Sequence, residues 1–283
     1  MDALANAVRR HRVLMFFALA YVLTWGAIPW DSFFAPGALI AAILVVAVTE
    51  GLPGLRDLGG RLVRWRVGAK WWAVALVVPL LVDLAAAVSN VALGAAAPLT
   101  AQLLPWYGIP LAIGLAVVNP TNGPLAEEPS FRGYALPSLQ SRHTPLVATA
   151  ILAVAVTGWH APLFVMSSFD LHPVHAVTTI AVTFWYTWLF DHAGGSALIT
   201  LVAHATEGSV DSQSLFAASA DAARMDWLYA AAWVSVAVVL LVADRRFWTG
   251  RAPGAAVHPD PQSRSHRAGE GGVPMTGRAA TGR

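Results

Sequence analysis

Residues 124–137 read Pro-Leu-Ala-Glu-Glu-Pro-Ser-Phe-Arg-Gly-Tyr-Ala-Leu-Pro. Two adjacent acids, Glu127 and Glu128, and one base, Arg132, stand in a chain that is otherwise almost continuously apolar. An ionisable side chain at membrane depth is costly, needs a partner, and marks a functional site by default. Read as a helix, the stretch puts Glu128 and Arg132 four residues apart on one face. Glu127 lies about 100° further round the helix, away from the arginine. That spacing divides the labour: Arg132 holds Glu128, and Glu127 is left to act as a general base. Pro129 suits the first turn of a helix, where a missing N–H costs nothing, so the spacing predicts a helix that starts close to the acids. The competing reading of these charges is a loop between two membrane helices, favoured by Pro120 and Pro124.

Working outward, the composition names the solvent. The 283 residues are 57% hydrophobic and 12% charged, about half the ~25% of a soluble domain. The net charge of +2 carries no signature of nucleic-acid binding. Cysteine is absent, which excludes disulfides, thiolate catalysis and cysteine-held metal. A membrane helix needs about 20 mostly apolar residues. Segments 13–30, 33–49, 71–94, 109–126, 145–165, 173–190, 196–213 and 227–243 meet or approach that length, so the expected fold is all-α, a polytopic transmembrane bundle of about eight spans. The fourth is expected to run on through the acidic motif. The first follows Arg9, Arg10 and Arg12 as a signal peptide would, yet its apolar run is too long for one and reads as an uncleaved helix.

Arginine and lysine in short loops set orientation. Arg9, Arg10, Arg12, then Arg56, Arg61, Arg64, Arg66 and Lys70, then Arg142, then Arg245 and Arg246 fall on one side of an eight-span chain. Asp31, Asp170, Asp211, Asp221, Arg224 and Asp226 fall in loops on the other. Both termini are therefore expected in the cytoplasm. Trp30, Trp65, Trp71, Trp72, Trp106, Trp227 and Trp248 mark span ends at the interface. Stretch 61–72 alternates basic and aromatic residues and reads as a positive loop, or as a segment lying on the bilayer surface. Residues 249–283, rich in Gly, Pro, Ser and Arg, have no apolar periodicity and are expected to be a disordered tail carrying His258 and His266.

Two further residues join the acids. His160 is expected inside the fifth span, in Gly-Trp-His-Ala-Pro-Leu-Phe, and His204 in the middle of the seventh. A carboxylate and two histidines on three helices suit hydrolysis. Glu127, His160 and His204 are possible ligands for Zn²⁺, with one position left for water. Alternatively Glu127 and His160 activate a water directly, with His204 polarising the scissile carbonyl. The zincin motif His-Glu-x-x-His is absent. Glu207, three residues after His204, is placed to orient that histidine. Weaker candidates are His172 and His175 in a loop, Asp191 and His192 in a turn, Asp83 inside the third span, Asn119 beside the proline break, and Ser167 and Ser168, which lack a base.

Glu127-Glu128-Pro-Ser-Phe131-Arg132-Gly133 matches Glu-Glu-x-x-x-Arg with its Phe-Arg-Gly continuation, Trp159-His160-Ala-Pro162 matches Trp-His-x-Pro, and His204 stands where a third motif has its histidine. Over residues 105–215 the chain resembles the CPBP (Abi) family of intramembrane proteases, which includes the type II CAAX prenyl endopeptidases. The resemblance implies an active site open to water within the bilayer. It implies Glu127 as general base, His160 and His204 as catalytic, and Arg132 as the partner of the acids, with zinc-dependent and metal-free mechanisms both open. Two positions depart from it. Val156 stands where a phenylalanine is common, and Gly208 where the family has the Asn or Asp that helps to hold the tetrahedral intermediate, with Glu207 one residue out of register. The expected organisation is thus 1–104 as N-terminal membrane helices, 105–215 as the protease-like core, 216–248 as a last membrane helix, and 249–283 as tail. The expected partner is a membrane-associated peptide or protein substrate, with the bilayer and without nucleic acid. The alternatives are a non-catalytic membrane scaffold, motivated by Gly208, and a small proton-coupled transporter using the same acids and histidines.

Overall fold

The computed structural model describes residues 8, 10–98, 107–121, 123–169, 171–210, 214–216 and 218–250. The expected tail with His258 and His266, together with Arg9, Trp106, Asp170 and Asp211, lies outside the described residues. The described residues are helical throughout, without strands. Twelve α-helices follow in order: α1 (Arg12–Trp25), α2 (Pro36–Thr49), α3 (Gly51–Leu62), α4 (Ala69–Ala92), α5 (Gly108–Val118), α6 (Gly123–Ser130), α7 (Leu136–Gln140), α8 (Pro145–Trp159), α9 (Val174–His192), α10 (Ala197–Glu207), α11 (Ser219–Ala243) and α12 (Arg245–Thr249). A π-helical turn, Phe131–Ala135, joins α6 to α7.

Among the described residues, three stretches are long and apolar enough to cross a membrane: Arg12–Trp30, Ala69–Ala92 and Ala220–Ala243. These helices are those of an integral membrane protein. The expected count of about eight full spans is not reached by length and apolarity. Pro36–Thr49, Gly108–Val118, Pro145–Trp159 and Ala197–Glu207 are apolar but shorter. Helix α9 has 19 residues, among them Thr178, Thr179, Thr183, Thr187, Asp191 and two histidines.

Several expected boundaries move, each for a local reason. Segment 109–126 does not continue through the motif. It stops at Val118, where the Asn119 side-chain oxygen accepts from the Thr121 N–H at 3.0 Å and hydroxyl at 2.8 Å. Such a side-chain-closed turn replaces helical hydrogen bonds. The motif helix restarts at Gly123, so Pro129 lies inside it and not in its first turn. His160 is not inside a span. Helix α8 ends at Trp159, because Pro162 cannot donate to a helical carbonyl, and Ala161–Phe164 tighten into a 3₁₀ turn. Residues 51–62, read as loop, form α3. Helix α11 begins at Ser219, which places Asp221, Arg224 and Asp226 on its first turns instead of in a loop.

Two large apolar cores form, beside a smaller cluster of Ala86, Ala95, Phe216 and Met225. The first joins Phe16 and Ala20 of α1, the small-residue face of α2 (Ala38, Ala41, Ala42, Val45), Phe131 and Leu136 of the motif, and Leu152 and Trp159 of α8. The second joins Ala75 and Val82 of α4, Trp185, Tyr186 and Leu189 of α9, Ile199 and Ala203 of α10, and Trp233 of α11. Helix α6 packs against both α2 and α10 and so runs along the seam between the cores. Small residues let helices approach closely in lipid, where burial of apolar surface supplies little drive. Helices α1 and α2 use this at Gly37, where a Cβ would sit 2.8 Å from both the backbone nitrogen and the hydroxyl of Thr24. That hydroxyl also accepts the Trp159 indole N–H at 3.0 Å, and the Trp25 indole donates to the Trp159 carbonyl at 2.9 Å. The end of α8, and with it His160, is thereby tied to α1.

Gly37→Val should therefore force α1 and α2 apart and loosen the Trp159 anchor. A stability loss of about 1–3 kcal/mol is expected from overpacking, read as a lower unfolding midpoint in detergent. Gly60→Ala, where a Cβ meets nothing within 4 Å, should not lower it. Equal midpoints for Gly37→Val and wild type would remove this account of the contact.

Candidate active site

The site is built from three helix ends. Helix α6 and the π turn carry Glu127, Glu128 and Arg132, the end of α8 carries His160, and the last turn of α10 carries His204. Two prolines bracket the π turn. Pro129 lacks the N–H that would close on Leu125, and Pro137 lacks the one that would close on Gly133. Between them the ladder widens by one residue, as π turns do at many functional sites. Gly133 allows a close approach: a Cβ would lie 3.0 Å from Leu58 Cδ1 of α3. Helix α10 is placed by its start. Gly194 and Gly195 take positive φ of 68° and 75°, and the Ser196 hydroxyl caps the Ile199 N–H at 3.3 Å. Arg64 donates to the Gly194 carbonyl, and Ser196 donates back to the Arg64 carbonyl at 2.7 Å.

Glu128 Oε1 receives two donors, Arg132 Nη1 at 2.9 Å and His204 Nδ1 at 2.9 Å. Glu128 is 0% and Arg132 2% exposed, so no water shares this charge. The bond places the His204 proton on Nδ1 and turns Nε2 away from Glu128. The sequence paired Glu128 with Arg132; the structure adds His204 to the same oxygen.

Glu127 faces the other histidine. Its Oε2 lies 3.8 Å from His160 Nε2. His160 donates Nδ1–H to the Val156 carbonyl at 2.9 Å, and Phe33 stacks on its ring at 6.0 Å with planes 14° apart. Nε2 is thus left as an acceptor. The gap to Glu127 is too long for a direct hydrogen bond, but a water bonded to both atoms fits it at an angle of about 85°. The other carboxylate oxygen, Oε1, lies against the start of its own helix, where a Cβ on Gly123 would be only 2.6 Å away. Glu127 is also within electrostatic reach of His204.

Glu207 does not orient His204. It accepts the Tyr229 hydroxyl of α11 at 2.6 Å, while Glu128 holds the histidine. Gly208 is exposed with an ordinary φ of −82°, and a Cβ there would meet only the His204 carbonyl, at 3.7 Å. Neither backbone nor space demands glycine at this position. The weaker candidates lie elsewhere. Asp191 is buried and accepts from Gln140 at 2.6 Å, His192 pairs with Asp244 at 3.0 Å, His172 is exposed before α9, and His175, on the first turn of α9 and not in a loop, lies 3.8 Å from Asp226. Asp83 is buried in α4. Three neighbours of the site carried no sequence signal: Gly123, Phe33 and Tyr186, whose ring face lies 4.5 Å from the Arg132 guanidinium. Only contact across the fold identifies them.

Among the described residues no three His, Asp or Glu side chains are grouped so as to hold a metal ion. As placed, Glu127, His160 and His204 do not fit zinc, and no step is derived through it.

Arg132→Met would leave Glu128 in an apolar setting with only His204 beside it. Breaking a buried pair from one side costs about 3–5 kcal/mol, so this variant should unfold at markedly lower denaturant than wild type. Glu128→Gln combined with Arg132→Met should recover much of the loss. A single variant as stable as wild type would mean that the pair carries no such penalty.

Residues 105–209 match the family model described as Type II CAAX prenyl endopeptidase Rce1-like, a span that contains both acids, Arg132 and both histidines. No curated protein matches the chain. Over residues 105–209 the chain is therefore similar to the CAAX-type membrane proteases that this model describes, which supports its resemblance to the CPBP family.

Proposed function

We propose that the chain is an intramembrane endopeptidase in which Glu127 and His160 activate the attacking water. The observation that supports this most is the 3.8 Å separation of Glu127 Oε2 from His160 Nε2, a gap suited to one shared water. Glu127 takes a proton from that water, and the hydroxide adds to the scissile carbonyl carbon. His204 in its protonated form presents Nε2–H to the developing oxyanion, with Nδ1–H retained by Glu128. The C–N bond then breaks, and Glu127 returns its proton to the leaving amine. Glu128 and Arg132 hold His204 and touch no reacting atom.

The substrate on this reading is a membrane-associated peptide or protein. The four shorter apolar helices and α9 are read as membrane-embedded alongside the three long ones, giving eight passes. Both termini are assigned to the cytoplasm on the arginine and lysine bias of the loops. Gly208 favours one second reading, a non-catalytic scaffold of the same fold, because the position that would carry an oxyanion-holding side chain is empty although there is space for one.

In nanodiscs, wild type should cleave a membrane-peptide library. Glu127→Gln and His160→Ala should each lower kcat by about 100-fold or more without shifting the unfolding midpoint, and His204→Ala should lower kcat as far while also lowering the midpoint, because it removes a donor from buried Glu128. A strong chelator should leave cleavage unchanged. If wild type and the three variants behave alike, the protease reading is wrong. An inert wild type that Gly208→Asn makes active would select the scaffold, and proton-coupled flux in liposomes would select transport. A finer check is Gly123→Ala, which must displace the Glu127 carboxylate. Misplacing a reacting group by about 1 Å costs on the order of 100-fold, so kcat should fall while KM and fold stay unchanged.

A further inference from the structure

Tyr186 lies in the middle of α9, in the second apolar core, and is 2% exposed. Its ring face lies 4.5 Å from the guanidinium carbon of Arg132. Its ring centroid is 5.4 Å from that of His204, with the planes 35° apart. These two side chains are the ones that share Glu128 Oε1. The Tyr186 hydroxyl has no hydrogen-bond partner among the described residues. Tyr186 therefore meets the site through its ring.

The geometry matters because one carboxylate oxygen fixes only one point of each donor. His204 can pivot about its Nδ1···Oε1 bond, and Arg132 about its Nη1···Oε1 bond, without losing either. A flat face against both removes those rotations. A cation over an aromatic face is attracted most strongly where water is excluded, and Arg132 meets that condition. The neighbours of Tyr186 along α9 cannot substitute: Trp185 packs on Trp233 at 5.0 Å, and Trp188 on His192 at 4.6 Å. We propose that Tyr186 is a positioning residue that acts through its ring face, locking Arg132 and His204 on Glu128 so that His204 Nε2 stays directed away from Glu128. Its effect on cleavage rests on the protease reading above. Its effect on the His204 ring does not.

The test uses full-length protein in nanodiscs with ¹⁵N-labelled histidine, the His204 resonances being assigned by their loss in His204→Gln. Wild type should show His204 as a single species protonated at Nδ1. Tyr186→Phe keeps the ring and should retain that signature and kcat within about 3-fold, a shift too small for a lost positioning contact. Tyr186→Leu removes the face and should give an exchange-averaged Nδ1 resonance, with kcat lower by about 100-fold at little change in KM. Tyr186→Met carries the same test should Tyr186→Leu not fold. A wild-type His204 signature in the variants without a ring overturns the proposal. So does Tyr186→Phe behaving like Tyr186→Leu, since the hydroxyl would then be the acting group. If wild type cleaves nothing, the protease reading fails, and the His204 signature still decides the role of Tyr186.

Discussion

One carboxylate oxygen holds this site together. Glu128 Oε1 takes a hydrogen bond from Arg132 within its own helix and another from His204, 76 residues later. The group is nearly without solvent, and each ion removed from water costs several kcal/mol after relaxation. Such a charge is stable only with its donors in place. Its presence therefore requires α6, the π turn and α10 to meet, and it sets the register in which they do. Glu127 is the next residue and takes its direction from that constraint. With Glu128 turned inward to Arg132 and His204, its neighbour faces His160.

Irregular backbone supports this arrangement. A membrane interior tolerates non-α backbone only where protein or a water-filled cavity surrounds it. Phe131–Ala135 are all buried in protein, as are most residues of α6. Prolines 129 and 137 and the early end of α8 before Pro162 each remove helical hydrogen bonds close to the site. The shortened helices bring side chains from helix ends, not helix middles, to the seam between two apolar cores. Glycines answer the resulting close approaches. Gly133 admits Leu58, and Gly123 admits the carboxylate of Glu127.

Much of this was legible in residue order. Low charge content and long apolar runs identified a helical membrane chain, and Glu-Glu-x-x-x-Arg with two later histidines singled out the residues that now converge. The four-residue spacing of Glu128 and Arg132 was enough to pair them, because a helix fixes that distance locally. Helix ends were less legible. Pro129 reads as a first-turn proline, yet the turn formed by Asn119 and Thr121 releases the chain early enough for the helix to start at Gly123. The charges at Asp221 and Arg224 read as loop, but Asn90 binds the Asp221 carbonyl at 2.9 Å and the Arg224 side chain at 2.7 Å, which steadies the first turns of α11. Glu207 reads as the partner of His204 by helical spacing, and a tyrosine of another helix takes it.

The sequence by itself determined the membrane class, the resemblance of residues 105–209 to CAAX-type proteases, and the chemistry available at 127, 128, 132, 160 and 204. These follow from composition and from spacings within single segments. Only the tertiary structure decided the pairing. His204 goes to Glu128 and His160 to Glu127, Tyr186 lies beneath Arg132, and Gly123 makes room for the carboxylate. Apart from the local Gly123 contact, each of these joins residues on different helices, whose separation in space depends on how whole helices pack, and such side-chain contacts leave no periodic mark in either segment.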